Sequence, residues 1–321
     1  VTARYGITFP FDGIPLPDQR SIVESLPDLG YTDLWSAESN AMDAFTPLAL
    51  ASVWAPALRL GTSIVPVYTR GPATLAMSAA TMAAAAPGRF VLGVGSSSSV
   101  IVEQWNGIPF EAPYQRVRDT VRFLHESLGG DKVTADYETF AVKGFRLGFL
   151  APPAPTILVA ALRSGMLRLA GREADGAIIN WLSPADVRTV APYVHEGGPD
   201  KEIAARIFVA PTDDADTARA VARFAIAAYL TVPVYRAFHE WLGRTEIMQS
   251  MQERWSSGDR KGALEAIPDS LVDELVVHGE PAACRERIGE YVEGGVTTPV
   301  LALLPVGVEP AKAVESLAPV R

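Results

Sequence analysis

The chain has 321 residues, 48% of them hydrophobic and 20% charged, a globular composition that excludes an intrinsically disordered polypeptide. Its formal net charge of −9 comes from acidic residues spread along the sequence; without a basic stripe, nucleic-acid binding is not expected. A single cysteine, Cys284, excludes a disulfide within the chain and fits a reducing cytoplasm, and no apolar run reaches the roughly 18–20 residues that cross a bilayer.

From Val1 the sequence runs into a strand-like segment, with no charged-then-apolar leader. Arg4–Phe9 reads as the first strand and Leu16–Leu29 as a helix stopped by Gly30. Tyr31–Ser36 is the second strand. The second helix is expected over Thr46–Ala57, with Thr46 as its N-cap and Pro47 at its first position. Leu58–Val65 is the third strand, Pro72 to Ala86 the third helix, Arg89–Val94 the fourth strand and Pro113–Leu128 the fourth helix. Lys132–Leu147 breaks this rhythm, alternates like a hairpin, and reads as an insertion.

Thr156–Ala160, Gly176–Asn180 and Ile203–Ala210 supply strands five to seven. Helices Ser164–Glu173 and Ser183–His195 separate them, and Asp213–Tyr229 follows. Thr231–Pro268 is polar, aromatic and helical in tone, and reads as a second insertion. Helices near Asp269–Val277 and Pro281–Glu293, an eighth strand Thr297–Leu304 and a helix Pro310–Leu317 complete the chain. Eight strands alternating with helices is the count of an α/β fold of the (β/α)8 TIM-barrel type. It is read as one domain over 1–321 with insertions near 132–147 and 231–268. A doubly wound open sheet is the rival. It calls for a glycine-rich turn after the first strand, where this chain has Phe9-Pro10-Phe11-Asp12-Gly13.

In a barrel the loops after the strands form the active face. Those positions hold Glu38, Ser39 and Asn40 after strand two, Ser63 and Ile64 and then Tyr68, Thr69 and Arg70 after strand three. Gly95, Ser96, Ser97, Ser98 and Ser99 follow strand four, Arg163, Ser164 and Gly165 strand five, and Asn180 and Trp181 strand six. Gly93-Val94-Gly95 and the four serines offer small side chains, backbone N–H donors and hydroxyls, which suits a phosphate cradle leading into a helix. A flexible linker is the alternative, but this run directly follows an apolar strand. Ser164-Gly165 is a second helix start of the same kind; alone it is a routine N-cap. The four histidines, His125, His195, His239 and His278, form no ligand pair at helical spacing, so no metal site is expected and they read as surface or structural. Gly95-Ser96-Ser97-Ser98-Ser99 lacks the closing glycine of a hydrolase nucleophile elbow.

Gly61–Pro72 (GTSIVPVYTRGP) resembles the third-strand region of the bacterial-luciferase-like oxidoreductases. Pro87–Gly95 (PGRFVLGVG) resembles their fourth strand and phosphate loop, and Gly30–Trp35 and Ala170–Gly176 are also similar. Within that family the chain looks like the branch that uses the deazaflavin coenzyme F420 rather than FMN. The resemblance implies a non-prolyl cis peptide at Ser63–Ile64, a bulge there backing the cofactor ring, and Ile64 against one ring face. It implies phosphate contacts from Ser96–Ser99 and from Ser164, Gly165 and Met166. It also implies hydride transfer between the deazaflavin and a small-molecule substrate, and a homodimer. Glu38 is then the acid–base candidate, at a strand end near the ring, with a salt bridge to Arg70 as the alternative; Tyr68 and Arg70 are candidates to orient substrate or cofactor tail. The family's sugar-phosphate dehydrogenases place an Asp-His pair after strand two and a glutamate in the phosphate loop. Here those positions read Glu38-Ser39 and Ser98, which argues against that substrate. An FMN-dependent monooxygenase and a non-catalytic cofactor-binding homologue are the alternative readings.

Overall fold

The computed structural model describes residues 4–320; the reading of Val1–Ala3 as free of a leader falls outside them. Eight parallel strands form its main sheet: β1 Gly6–Thr8, β2 Asp33–Ser36, β3 Arg59–Thr62, β4 Phe90–Gly95, β5 Thr156–Ala160, β6 Gly176–Asn180, β7 Glu202–Ala210 and β8 Thr298–Leu303. Each pairs with the next in chain order, and β8 returns to β1. That closure excludes the open doubly wound sheet, which would leave two edges unpaired.

Helices α1 Arg20–Leu29, α2 Phe45–Trp54, α3 Pro72–Ala85, α4 Pro113–Leu128, α5 Ser164–Glu173, α6 Pro184–His195 and α7 Ala215–Leu230 follow strands β1 to β7. Then come α8 Pro233–Trp241, α9 Thr245–Ser256, α10 Arg260–Glu265, α11 Asp269–Leu275 and α12 Pro281–Glu293, with α13 Pro310–Ser316 after β8. Between α4 and β5, Val133–Asp136 and Ala141–Phe145 pair as an antiparallel hairpin. Among the described residues no single helix is long and apolar enough to cross a membrane.

Three local expectations change. Leu16–Gln19 is a 3-10 turn ahead of α1. Thr46 is not the N-cap of α2, and Pro47 is not its first residue: the Asp43 carboxylate accepts from the Phe45 and Thr46 N–H groups at 2.9 and 3.0 Å, so the helix starts earlier. The helix expected to Val277 stops at Leu275, because Val277–His278 pairs in parallel with the end of β7.

Strand alternation divides the core in two. Leu34, Leu92, Val159, Ile179, Ala205 and Leu301 face the helix layer, while Trp35, Val91, Leu158, Ile178, Ala204 and Val300 meet inside the barrel. Trp35 is fully buried there. Neighbouring strands make room for it with glycines: a Cβ on Gly61 would lie 2.4 Å from the indole, and one on Gly6 3.1 Å from it.

Below this layer, at the N-terminal ends of the strands, the barrel floor is an ion network. Arg59 donates to both Glu202 carboxylate oxygens at 2.8 and 2.6 Å and to Asp33 at 3.1 Å. Thr298 donates to Glu202 at 2.7 Å, and Arg4 lies 3.4 Å from Asp33. Burial disfavours the Glu202 charge, but the hydrogen bond and charge of Arg59 outweigh it and hold the carboxyl below its ordinary 4.5. A carboxyl depressed in the folded state adds stability above its unfolded pKa and loses it as pH falls. Arg59→Met is therefore expected to destabilise by about 3 kcal/mol at pH 7 in urea unfolding, because it removes the cation shared by Asp33 and Glu202. The gap from the unmutated chain should narrow below pH 4.5. An unchanged urea midpoint would contradict the role of the network.

Candidate functional site

The C-terminal mouth of the barrel is shaped by a bulge in the third strand. Leu60 and Gly61 pair with Phe90 and Val91, and pairing resumes with Val65 opposite Val94 and Pro66 opposite Gly95. Three residues, Thr62 to Ile64, thus stand against two, Leu92 and Gly93, which is a one-residue bulge. The Ser63–Ile64 peptide within it is cis. The Thr62 hydroxyl accepts from the Gly93 N–H and donates to the Gly93 carbonyl, both at 2.8 Å. A Cβ on Gly93 would sit 1.9 Å from the Thr62 carbonyl oxygen. The second strand holds the bulge from the other side: Ser63 N–H donates to the Ser36 carbonyl and Glu38 N–H to the Ile64 carbonyl at 3.1 Å. The Ser63 hydroxyl also donates to the Ser36 carbonyl, at 3.3 Å.

Ile64 consequently packs onto the barrel interior, against the layer that contains Trp35. Gly95 lies beside it: a Cβ there would be 3.3 Å from Ile64 and 2.8 Å from the Ala160 methyl. The ends of β3, β4 and β5 therefore converge, and two open helix starts follow. Ser96–Ser99 are half-buried, Ser97 has a left-handed φ of 63°, and the run winds into a π-helical turn, Val100–Trp105, where the Ser98 hydroxyl accepts weakly from the Ile101 N–H at 3.4 Å. On the adjacent strand, α5 starts after Arg163 with no side-chain cap. The Ser164, Gly165 and Met166 N–H groups thus stand at a first turn with no helical acceptor. Gly165 is exposed, and a Cβ there would meet nothing within 4 Å.

The structure brings Glu38 and Arg70 together. The Arg70 guanidinium donates to Glu38 Oε1, is stacked 4.8 Å from the Phe45 ring, and reaches Asp43 at 3.9 Å. Glu38 Oε1 also accepts weakly from the Ala44 N–H at 3.4 Å. The anticipated salt bridge exists, and it engages only Oε1 of the Glu38 carboxylate. Tyr68 faces elsewhere. Its hydroxyl donates to the Glu111 carbonyl, its ring packs 5.2 Å from Phe110, and burial raises its pKa. It joins the β3 loop to the segment before α4.

Sequence reasoning missed the opposite side of the mouth. A cavity of about 380 Å³ opens at the ends of β7, β8 and β1, lined by Thr8, Phe11, Arg206, Ala302 and Leu304 among others. Arg206 has the same parity on β7 as Ala204, so it points inward, one step nearer the mouth. Its signal was an arginine at an inward position of an otherwise apolar strand. Asn180, beside Arg206 in the sheet register, exchanges hydrogen bonds with the Tyr235 hydroxyl at 3.1 and 3.4 Å. Burial pushes Tyr235 up to about 12.

Other titratable groups serve the scaffold. His239 is fully buried, and burial pushes its imidazole down to about 4. Burial likewise pushes the Cys284 thiol up to about 11, which suppresses the reactive thiolate. Among the described residues no group of three His, Cys, Asp or Glu side chains could hold a metal ion.

A family model described as luciferase-like monooxygenase matches residues 4–298. The 5,10-methylenetetrahydromethanopterin reductase of Archaeoglobus fulgidus is 26% identical, over 97% of this chain and 96% of its own length. A Mycobacterium tuberculosis protein provisionally named a coenzyme F420-dependent oxidoreductase is 27% identical over 89% of this chain and 91% of its own. The solved structure of the coenzyme F420-dependent tetrahydromethanopterin reductase of Methanopyrus kandleri superposes with a TM-score of 0.82 at 21% identity, covering 99% of this chain and 98% of that one; the likeness is one of fold.

The bulge geometry has a direct test. Gly93→Ala forces a methyl into a backbone carbonyl that no rotamer change can move, and is expected to cost about 3 kcal/mol or more. Gly165→Ala, in open space at the start of α5, should change stability by less than about 1 kcal/mol. Equal urea midpoints for the two variants would show that the Thr62–Gly93 contact does not constrain the mouth.

Proposed function

The chain belongs to the luciferase-like monooxygenase family, and on that premise we propose that it is a coenzyme F420-dependent oxidoreductase. It transfers a hydride between the deazaflavin and a small organic substrate, acting as a cytoplasmic enzyme with one barrel domain. The observation that carries the reading is the convergence of the Ile64 bulge with two helix starts at the ends of three adjacent strands. The choice of F420 over FMN rests on the reductase and F420-dependent names of relatives that match nearly the full chain.

The residues present suit such a cofactor. Ile64 offers an apolar, partly buried surface at the mouth for one face of a planar ring. The N–H groups and hydroxyls at Ser96–Ser99, and the first turn of α5 at Ser164, Gly165 and Met166, suit an anionic tail, because N–H groups at a helix start attract negative charge. Gly95 keeps the two sides close. When bound, the deazaflavin supplies two-electron hydride chemistry in place of the one-electron and oxygen chemistry of a flavin.

The chain's own residues position and manage protons. Glu38 handles the proton through Oε2 while Arg70 holds Oε1 at the bulge, and Tyr68 fixes the loop that carries Arg70. The exposed Val53 of α2 and Met77 of α3 support a homodimer through these helices. The FMN-dependent monooxygenase is the second reading, since an FMN phosphate suits the same helix starts.

Reduced F420 is expected to be oxidised without oxygen consumption by some member of a panel of enones, imines and ketones. Oxygen uptake with reduced FMN, and none of that turnover, would replace the proposal with the monooxygenase. Glu38→Gln should slow turnover by about 10²-fold or more and leave F420 affinity within about twofold. Normal turnover would remove the proton-handling role.

A further inference from the structure

Inside the mouth, across from the Ile64 bulge, sits a cation with no counter-ion. Arg206 points into the barrel above an apolar layer of Ala204, Ile178 and Val300. Its Nε is buried and has no hydrogen-bond partner, and among the described residues no carboxylate forms an ion pair with it. The other inward arginine, Arg59 at the floor, is neutralised by two carboxylates. The side chain is half-buried, its Nη groups are not among the covered, partnerless atoms, and its positive charge at the mouth is left for a ligand to meet.

The surroundings make this a built site. The guanidinium lies 5.0 Å from the Phe208 ring centre, and Phe208 is itself stacked 4.0 Å from the buried Trp181, so the cation rests on a rigid aromatic base. Asn180, next to it in register, has its amide oriented by Tyr235. Thr8 Oγ1, buried and likewise without a partner, lines the same cavity. Asp12 and Glu309 line its rim, but both are exposed, and salt screens their repulsion.

From this geometry we propose that Arg206 and Thr8 form the carboxylate-binding subsite of the substrate pocket, so that the substrate is a small organic acid. The two Nη groups, which unlike Nε are not covered, present the planar pair of donors that a carboxylate accepts end-on. Thr8 adds a hydroxyl donor. A cavity of about 380 Å³ lies at the small end of ligand sites. The assignment of this pocket to substrate rests on the oxidoreductase reading; the binding chemistry of Arg206 does not.

The test is isothermal titration of the whole chain, with and without F420, using three acid–amide pairs: cinnamate and cinnamamide, crotonate and crotonamide, benzoate and benzamide. At least one acid is expected to bind tenfold more tightly than its amide, Arg206→Gln to abolish the preference, and Thr8→Val to weaken the acid severalfold while sparing the amide. The Thr8→Val variant keeps the test decisive if Arg206→Gln does not fold. Equal affinities within every pair would overturn the proposal. So would a preference that survives Arg206→Gln, or a variant that loses F420 affinity and keeps acid selectivity, since Arg206 would then belong to the cofactor. If F420 fails to bind and the Arg206-dependent acid preference remains, the coenzyme reading falls and this one stands.

Discussion

The mouth of the barrel depends on the contact between the Thr62 carbonyl and Gly93. One extra residue on β3 has to be absorbed between Gly61 and Val65, and it fits only because β4 offers a position without a side chain, where a Cβ would lie 1.9 Å from the Thr62 carbonyl oxygen. The Thr62 hydroxyl closes both backbone groups of Gly93 at that point, so the residue facing the bulge keeps its backbone paired. Ile64 can then turn inward, Gly95 can approach it, and the loops after β4 and β5 come to lie side by side. Trp35 fills the space beneath, admitted by Gly6 and Gly61.

The same interior treats charge in opposite ways at its two ends. At the floor, Arg59 meets Asp33 and Glu202, and Thr298 supplies a further donor to Glu202. At the mouth, Arg206 occupies an equally inward position, with its Nε unpartnered. A barrel concentrates stability at the N-terminal face and chemistry at the C-terminal one, and these two arginines express that division. Glu38 and Arg70 stand between the extremes: paired, half-buried and attached to the bulge through the Glu38 N–H.

The strands were legible because a buried parallel strand is a short apolar run bounded by turn residues, and β5 and β6 fall where the sequence places them. The two helix starts at Ser96–Ser99 and Ser164 were legible for the same local reason, since small residues after an apolar strand expose backbone donors. Helix boundaries were less secure: Asp43 and Thr46 are both capping types, and only the fold decides between them. Long-range pairings escaped. Nothing near Tyr68 announces that its hydroxyl will find Glu111, and Tyr235 comes from the stretch after α7 whose path the sequence does not reveal. Arg206 lies within the strand read as Ile203–Ala210, and alternation along Ala204, Arg206 and Phe208 marks it as inward once the barrel is assumed.

A bulge and two helix starts that hold a deazaflavin should discriminate between coenzymes. Fluorescence titration of the purified chain with coenzyme F420 and, separately, with FMN tests this most directly. F420 should bind at least tenfold more tightly, a difference of about 1.4 kcal/mol; a tenfold preference for FMN would assign the site to the flavin instead.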